Sequence, residues 1–117
     1  MVNQGIPERT FNFGVQIIQF APKLPRNTAG FAIYDQIISS GTSIGANVEE
    51  AQNSSTKKEF IRGITVALKE ARETYYWLKL LGKSGLIARP SIGGIMDENL
   101  EIIKILTTSV KNAKKKR

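Results

Sequence analysis

The 117-residue chain has no cysteine and no histidine. Without thiols there are no disulfides, thiolate metal sites or cysteine nucleophiles. Without imidazole the commonest general base and metal ligand is gone, and with it every histidine-dependent triad. No apolar run approaches the roughly 20 residues that a membrane span requires, and the expectation is that there is no secretory leader. The expectation is a cytoplasmic, non-enzymatic protein with no cofactor, no metal and no membrane partner. Glu49, Glu50, Glu70 and Glu73 could in principle line a helical interior as a di-metal carboxylate site. Such sites take a histidine three residues after a glutamate, so capping, ion pairing and packing account for these acids more cheaply.

Acid is missing where base is densest. The net charge is +7, yet Lys111, Lys114, Lys115, Lys116 and Arg117 close the chain with no carboxylate among them. Removing those five from the 17 basic residues leaves 12 against 10 acidic ones, so the body carries only +2. The pattern is a near-neutral body with a basic tail. Hydrophobic residues make up 41%, enough for one continuous core at this length and too little chain for two. We expect a single domain over 1–117, with an ordered core over about 8–110, a basic tail over 111–117 and frayed ends.

What is present is helical periodicity, with no convincing strand. The first segment runs from about Glu8 to Leu24, with Phe11, Ile17, Ile18, Ala21 and Leu24 on one broad face and Pro22 distorting its last turn. The second spans about Thr28 to Gln52, where Phe31, Tyr34, Ile37, Ile38, Gly41, Ile44, Gly45, Val48 and Ala51 keep three-and-four spacing. A third opens on Thr56 with Glu59 three residues on, a capping-box pattern, and ends near Gly82 and Gly85. Its seam is Phe60, Ile64, Ala67, Ala71, Leu78 and Leu81. The fourth begins between Pro90 and Asp97 and aligns Ile92, Met96, Ile103, Leu106 and Val110, with Asn99 in their midst. Short links between long amphipathic helices predict an all-α, antiparallel up-down four-helix bundle.

Three surfaces could carry function. The outer arc of the second helix holds Ser40, Ser43, Ala46 and Asn47 beside Gly41 and Gly45, and between Phe31 and Val48 only Asp35 is charged. Each helical glycine costs roughly 1 kcal/mol against alanine, which a closely approaching helix would offset, in this chain or in a second copy. The alternatives are a free polar face and a packed face between protomers. On the third helix Lys58, Arg62, Lys69, Arg72, Lys79 and Lys83 share an arc of roughly 100° with Tyr76 in their midst. A cationic row with an embedded aromatic suits a nucleic-acid backbone with one stacked base; a solvated face, with Lys69 pairing locally to Glu73, is the plainer reading. Lys104, Lys111 and Lys115 share a face of the fourth helix, extending positive charge from the tail or simply solubilising it.

Ser40-Gly41-Thr42-Ser43-Ile44-Gly45-Ala46-Asn47 with Glu50-Ala51, then Glu59-Phe60, Ala67 through Thr74 and Tyr76-Trp77-Leu78, resemble the four-helix-bundle protein family. That family includes proteins encoded by intervening sequences within bacterial 23S ribosomal RNA genes, and the resemblance covers about residues 8–110. It implies a ring-like homo-oligomer, a pentamer by first expectation. A bundle related in fold is the accessory protein of diversity-generating retroelements, whose basic ring engages nucleic acid and a reverse transcriptase. The implied partners here are thus a second copy, RNA or DNA, and a protein such as a polymerase. Physically, Gly41, Gly45 and Ala46 permit close helix approach, and Asn47, Glu50, Glu70, Arg72 and Glu73 are placed to link the second and third helices. Trp77 is expected at a helix–helix or subunit boundary.

Overall fold

The computed structural model describes residues 5–115. Four helices, α1 (Gly5–Phe20), α2 (Thr28–Gln52), α3 (Lys57–Ser84) and α4 (Gly93–Lys115), make up the body, with 3-10 turns at Ala21–Lys23 and Arg89–Ser91. No strand occurs among the described residues. α1 packs on α2, α2 on α3 and α3 on α4, and α4 closes the circuit by touching α1. The body measures 49 × 19 × 18 Å.

Local chemistry sets the boundaries. Asn27 caps α2 by accepting from the Gly30 amide at 2.8 Å, and Thr56 caps α3 by accepting from Glu59 at 3.1 Å. The Glu59 carboxylate reaches back to the Ser55 amide, one residue before the cap, at 3.2 Å. Gly85, at φ 78°, ends α3 in the left-handed region that glycine enters without a Cβ penalty. Gly82 is no stop: it lies inside α3, where its bare Cα lets the Ile92 side chain in close.

α1 begins three residues earlier than expected, because Pro7 is tolerated in a first turn and Ile6 is buried there. It yields to a 3-10 turn after Phe20, since Pro22 has no N–H to continue the helix. Residues 5–7 and 112–115, expected to fray, are helical; 1–4, Lys116 and Arg117 lie outside the described residues.

The core face of α1 is Ile6, Thr10, Phe13, Ile17 and Phe20. Phe11 and Ile18, assigned to the core from spacing, are instead 67% and 55% exposed. Apolar residues occur on two arcs of this helix, so periodicity alone did not identify the buried one. Phe31 and Tyr34 are likewise exposed, against expectation. The α3 seam from Phe60 to Leu81 is buried as expected, and α4 adds Ile102, which the reading had missed. Each large apolar side chain so enclosed contributes roughly 1.5–3 kcal/mol.

The glycines of α2 find their close neighbour in α1 of the same chain. A Cβ on Gly41 would meet Ile17 at 2.8 Å, and one on Gly45 would meet the Thr10 carbonyl at 3.1 Å. Toward α3, Gly63 sits against Ala51, and the hydroxyls of Ser40 and Thr74 lie 2.9 Å apart, both buried. Thr74 also lies 2.8 Å from the Glu70 carbonyl, and its single proton serves one acceptor at a time. Asn99, fully buried on α4, donates to the Ala71 carbonyl at 3.0 Å.

Candidate nucleic-acid interface

α3 is straight enough in pattern that residues at three-and-four spacing stay on one side of it. Lys58, Arg62, Lys69, Arg72, Lys79 and Lys83 are all exposed, and so is Tyr76 at 52%. From Lys58 to Lys83 the row covers about 38 Å at helical rise, the length of about 11 phosphates along one strand of a duplex. None of the six is in an ion pair among the described residues: Lys69 does not bind Glu73, and the only pairs are Arg9–Glu98 and Lys104–Glu101. The row is thus exposed without a direct ion pair, while Glu70 beside it feels the charge of Lys69. Tyr76 is buttressed edge-on by Trp77, ring centroids 5.0 Å apart at 77°, which holds its outer face toward solvent.

The lysines of α4 are also exposed. Lys104 touches Glu101 at 3.4 Å, an open pair that water screens. Lys104 and the last turns of α4 share a cavity wall with Lys57 and Phe60 at the start of α3, so the positive charge of the two helices meets at that end. Lys111 and Lys115 lie along the same stretch of α4.

The residues expected at a helix-packing or protomer contact divide between several surfaces. Gly41 and Gly45 face α1, and Ser40 is buried toward α3. Ser43 and Asn47 are half-buried and bond back to the Ser39 and Ser43 carbonyls, while Ala46 is exposed. Trp77 is half-buried against the core, and its indole N–H is enclosed without a partner among the described residues. The polar links expected from Asn47, Glu50, Glu70, Arg72 and Glu73 between α2 and α3 are absent among the described residues; Ser40 and Thr74 make that connection. Burial raises the Glu70 carboxyl above its ordinary range, Glu73 adds to the shift and Lys69 opposes it.

Two features escaped the reading. Arg9 grips Glu98 with two contacts, 2.6 and 2.9 Å, tying α1 to α4 and holding the guanidinium more firmly protonated. Phe11, Val15 and Ile18 form an exposed apolar stripe on α1; spacing places Phe11 and Ile18 inward and does not single out Val15. Among the described residues no group of three His, Cys, Asp or Glu side chains could hold a metal, and no helix is long and apolar enough to cross a membrane.

A crystal structure of a protein of unknown function from the S23 ribosomal protein family of Bacteroides thetaiotaomicron is similar over 91% of this chain and 98% of that one, at 37% identity and a TM-score of 0.84. No curated protein matches. The model of the 23S rRNA-intervening sequence protein family matches residues 3–108. With a four-helix all-α body, a match over most of its length and a solved relative at this identity, the chain belongs to the 23S rRNA-intervening sequence protein family.

Proposed function

We propose that this protein is a non-enzymatic, homo-oligomeric bundle that binds RNA or another nucleic acid through the cationic face of α3 and the lysines of α4. The observation that carries the reading is the row of six exposed, unpaired cations around Tyr76. Phosphates neutralise such a row and release counterions, and the exposed ring offers a stacking face that tolerates any base. An up-down, antiparallel course is part of the same proposal. It is supported by contacts that run in opposite order along neighbouring helices: Gly41 with Ile17 and Gly45 with Thr10, then Ser40 with Thr74 and Ala51 with Gly63.

Self-association, with a ring of five copies as the expectation from the resemblance, is supported by the Phe11, Val15 and Ile18 stripe. Exposed apolar stripes of this kind mark contact surfaces more often than free ones. That same stripe favours a second reading, a scaffold that recruits a different protein while its charge serves solubility. Mass in solution separates the two. Assembly of the purified chain that is lost in Phe11→Ser/Ile18→Ser supports self-association; a monomer at micromolar concentration contradicts it. For nucleic acid, structured RNA is titrated at low and high salt against the wild type and against charge reversal at Arg62, Lys69 and Arg72. Loss of binding in the variant supports the reading, and indifference to those charges overturns it.

A further inference from the structure

A cavity of about 620 Å³ opens between the α2–α3 connection and the last turns of α4. Its size falls within the range of small-molecule sites. Ile105 and Ala113 supply apolar lining above the buried Phe60, and Lys57 and Lys104 bring one ammonium each from different helices. The α4 wall adds Thr108, Ser109 and Asn112. Several helical hydroxyls turn inward on their own backbone: Ser40, Thr42, Ser43, Thr65 and Thr107 each bond to the carbonyl four residues earlier. That is the ordinary habit of such side chains. Thr108 and Ser109 do otherwise, and with Asn112 they make no hydrogen bond among the described residues, so their polar groups stay free at the cavity wall. Lys57 has no ion pair among the described residues, and Lys104 has only its open contact with Glu101.

Three demands coincide here: two cations call for an anion, three uncommitted polar side chains for a hydrogen-bonding body, and an apolar lining for a flat hydrophobic face. We infer that this cavity binds a nucleoside monophosphate, its phosphate between Lys57 and Lys104, its ribose on Thr108, Ser109 and Asn112, and its base against Ile105 and Ala113. A free nucleotide and the 5′-phosphorylated end of an RNA strand share that chemistry. The second source rests on the nucleic-acid reading above; the first does not.

The test titrates isotope-labelled full-length protein with 5′-AMP and follows backbone amides by NMR. A 5′-phosphorylated RNA decamer and its 5′-hydroxyl counterpart are then compared by fluorescence anisotropy. Saturable shifts at Lys57, Thr108, Ser109 and Asn112 are expected. They should be lost in Ser109→Trp, which fills the cavity, and binding should weaken about tenfold in Lys57→Ser, the scale of one charge-assisted contact. Lys57 is exposed and Ser109 half-buried, and circular dichroism verifies that each variant folds. A preference for the phosphorylated decamer identifies an RNA end as the ligand; equal decamer affinities with AMP still bound identify a free nucleotide. No saturable shift at this cavity with AMP or with the phosphorylated decamer overturns the inference. The α3 charge reversal keeps the two readings apart, since it should abolish decamer binding and leave the AMP shifts intact.

Discussion

Glu70 shows how one side chain on the outer side of α3 is set by its surroundings. Its carboxyl is raised by burial first and by Glu73 second, so the folded state holds that proton more tightly than the unfolded chain does. Its contribution is therefore fullest below the ordinary carboxylate range and declines as pH rises through that range to the raised value. Glu70→Gln should match the wild type in acid and exceed it in thermal stability at neutral pH, read from melting curves between about pH 3 and pH 8. A variant less stable than wild type at neutral pH contradicts this. Glycines separate at the same scale. Alanine at Gly41 drives a methyl into Ile17, whose side chain is fully enclosed and cannot yield, costing about 1–3 kcal/mol. Alanine at Gly94 meets nothing within 4 Å and should stabilise by about 0.4–1 kcal/mol. Urea unfolding of the two variants checks the contrast, and equal midpoints would defeat the close-packing argument.

At the scale of elements, the boundaries follow capping and backbone chemistry. Thr56→Ala removes the hydroxyl that holds the Glu59 amide and should cost about 1 kcal/mol, again from urea unfolding; an unchanged midpoint would show the cap to be dispensable. α3 was legible because its signals agree: a capping residue, sustained three-and-four spacing and a terminating glycine; α2 was legible from its spacing alone, and its cap, Asn27, was not. α1 was less so. Its apolar residues lie on two arcs, and only the placement of α2 decides that Phe13 and Ile17 turn inward while Phe11 and Ile18 turn outward. Asn99 was visible among apolar neighbours, but its bond to the Ala71 carbonyl depends on how α4 lies against α3, which no spacing within α4 encodes.

Across the whole molecule, charge and apolar surface are segregated. The outer side of α1 is free of charge from Thr10 to Ala21, whereas α3 displays its cations unpaired. The cationic row was legible because helical geometry alone aligns its members. That the row lacks internal partners was not, since it depends on which rotamers Glu59, Glu70 and Glu73 adopt. The cavity beside Lys57 was hidden for a different reason: its walls come from segments about 50 residues apart. If all six α3 cations meet phosphates, log affinity should fall against log salt with a slope of about −4 on a single strand to about −5.4 on a duplex. The most direct measurement is that slope for structured RNA, compared between wild type and the Arg62→Glu/Lys69→Glu/Arg72→Glu variant. We predict a steep wild-type slope with binding abolished in the variant, and a shallow slope or undiminished variant binding would contradict the assignment of α3 as the nucleic-acid face.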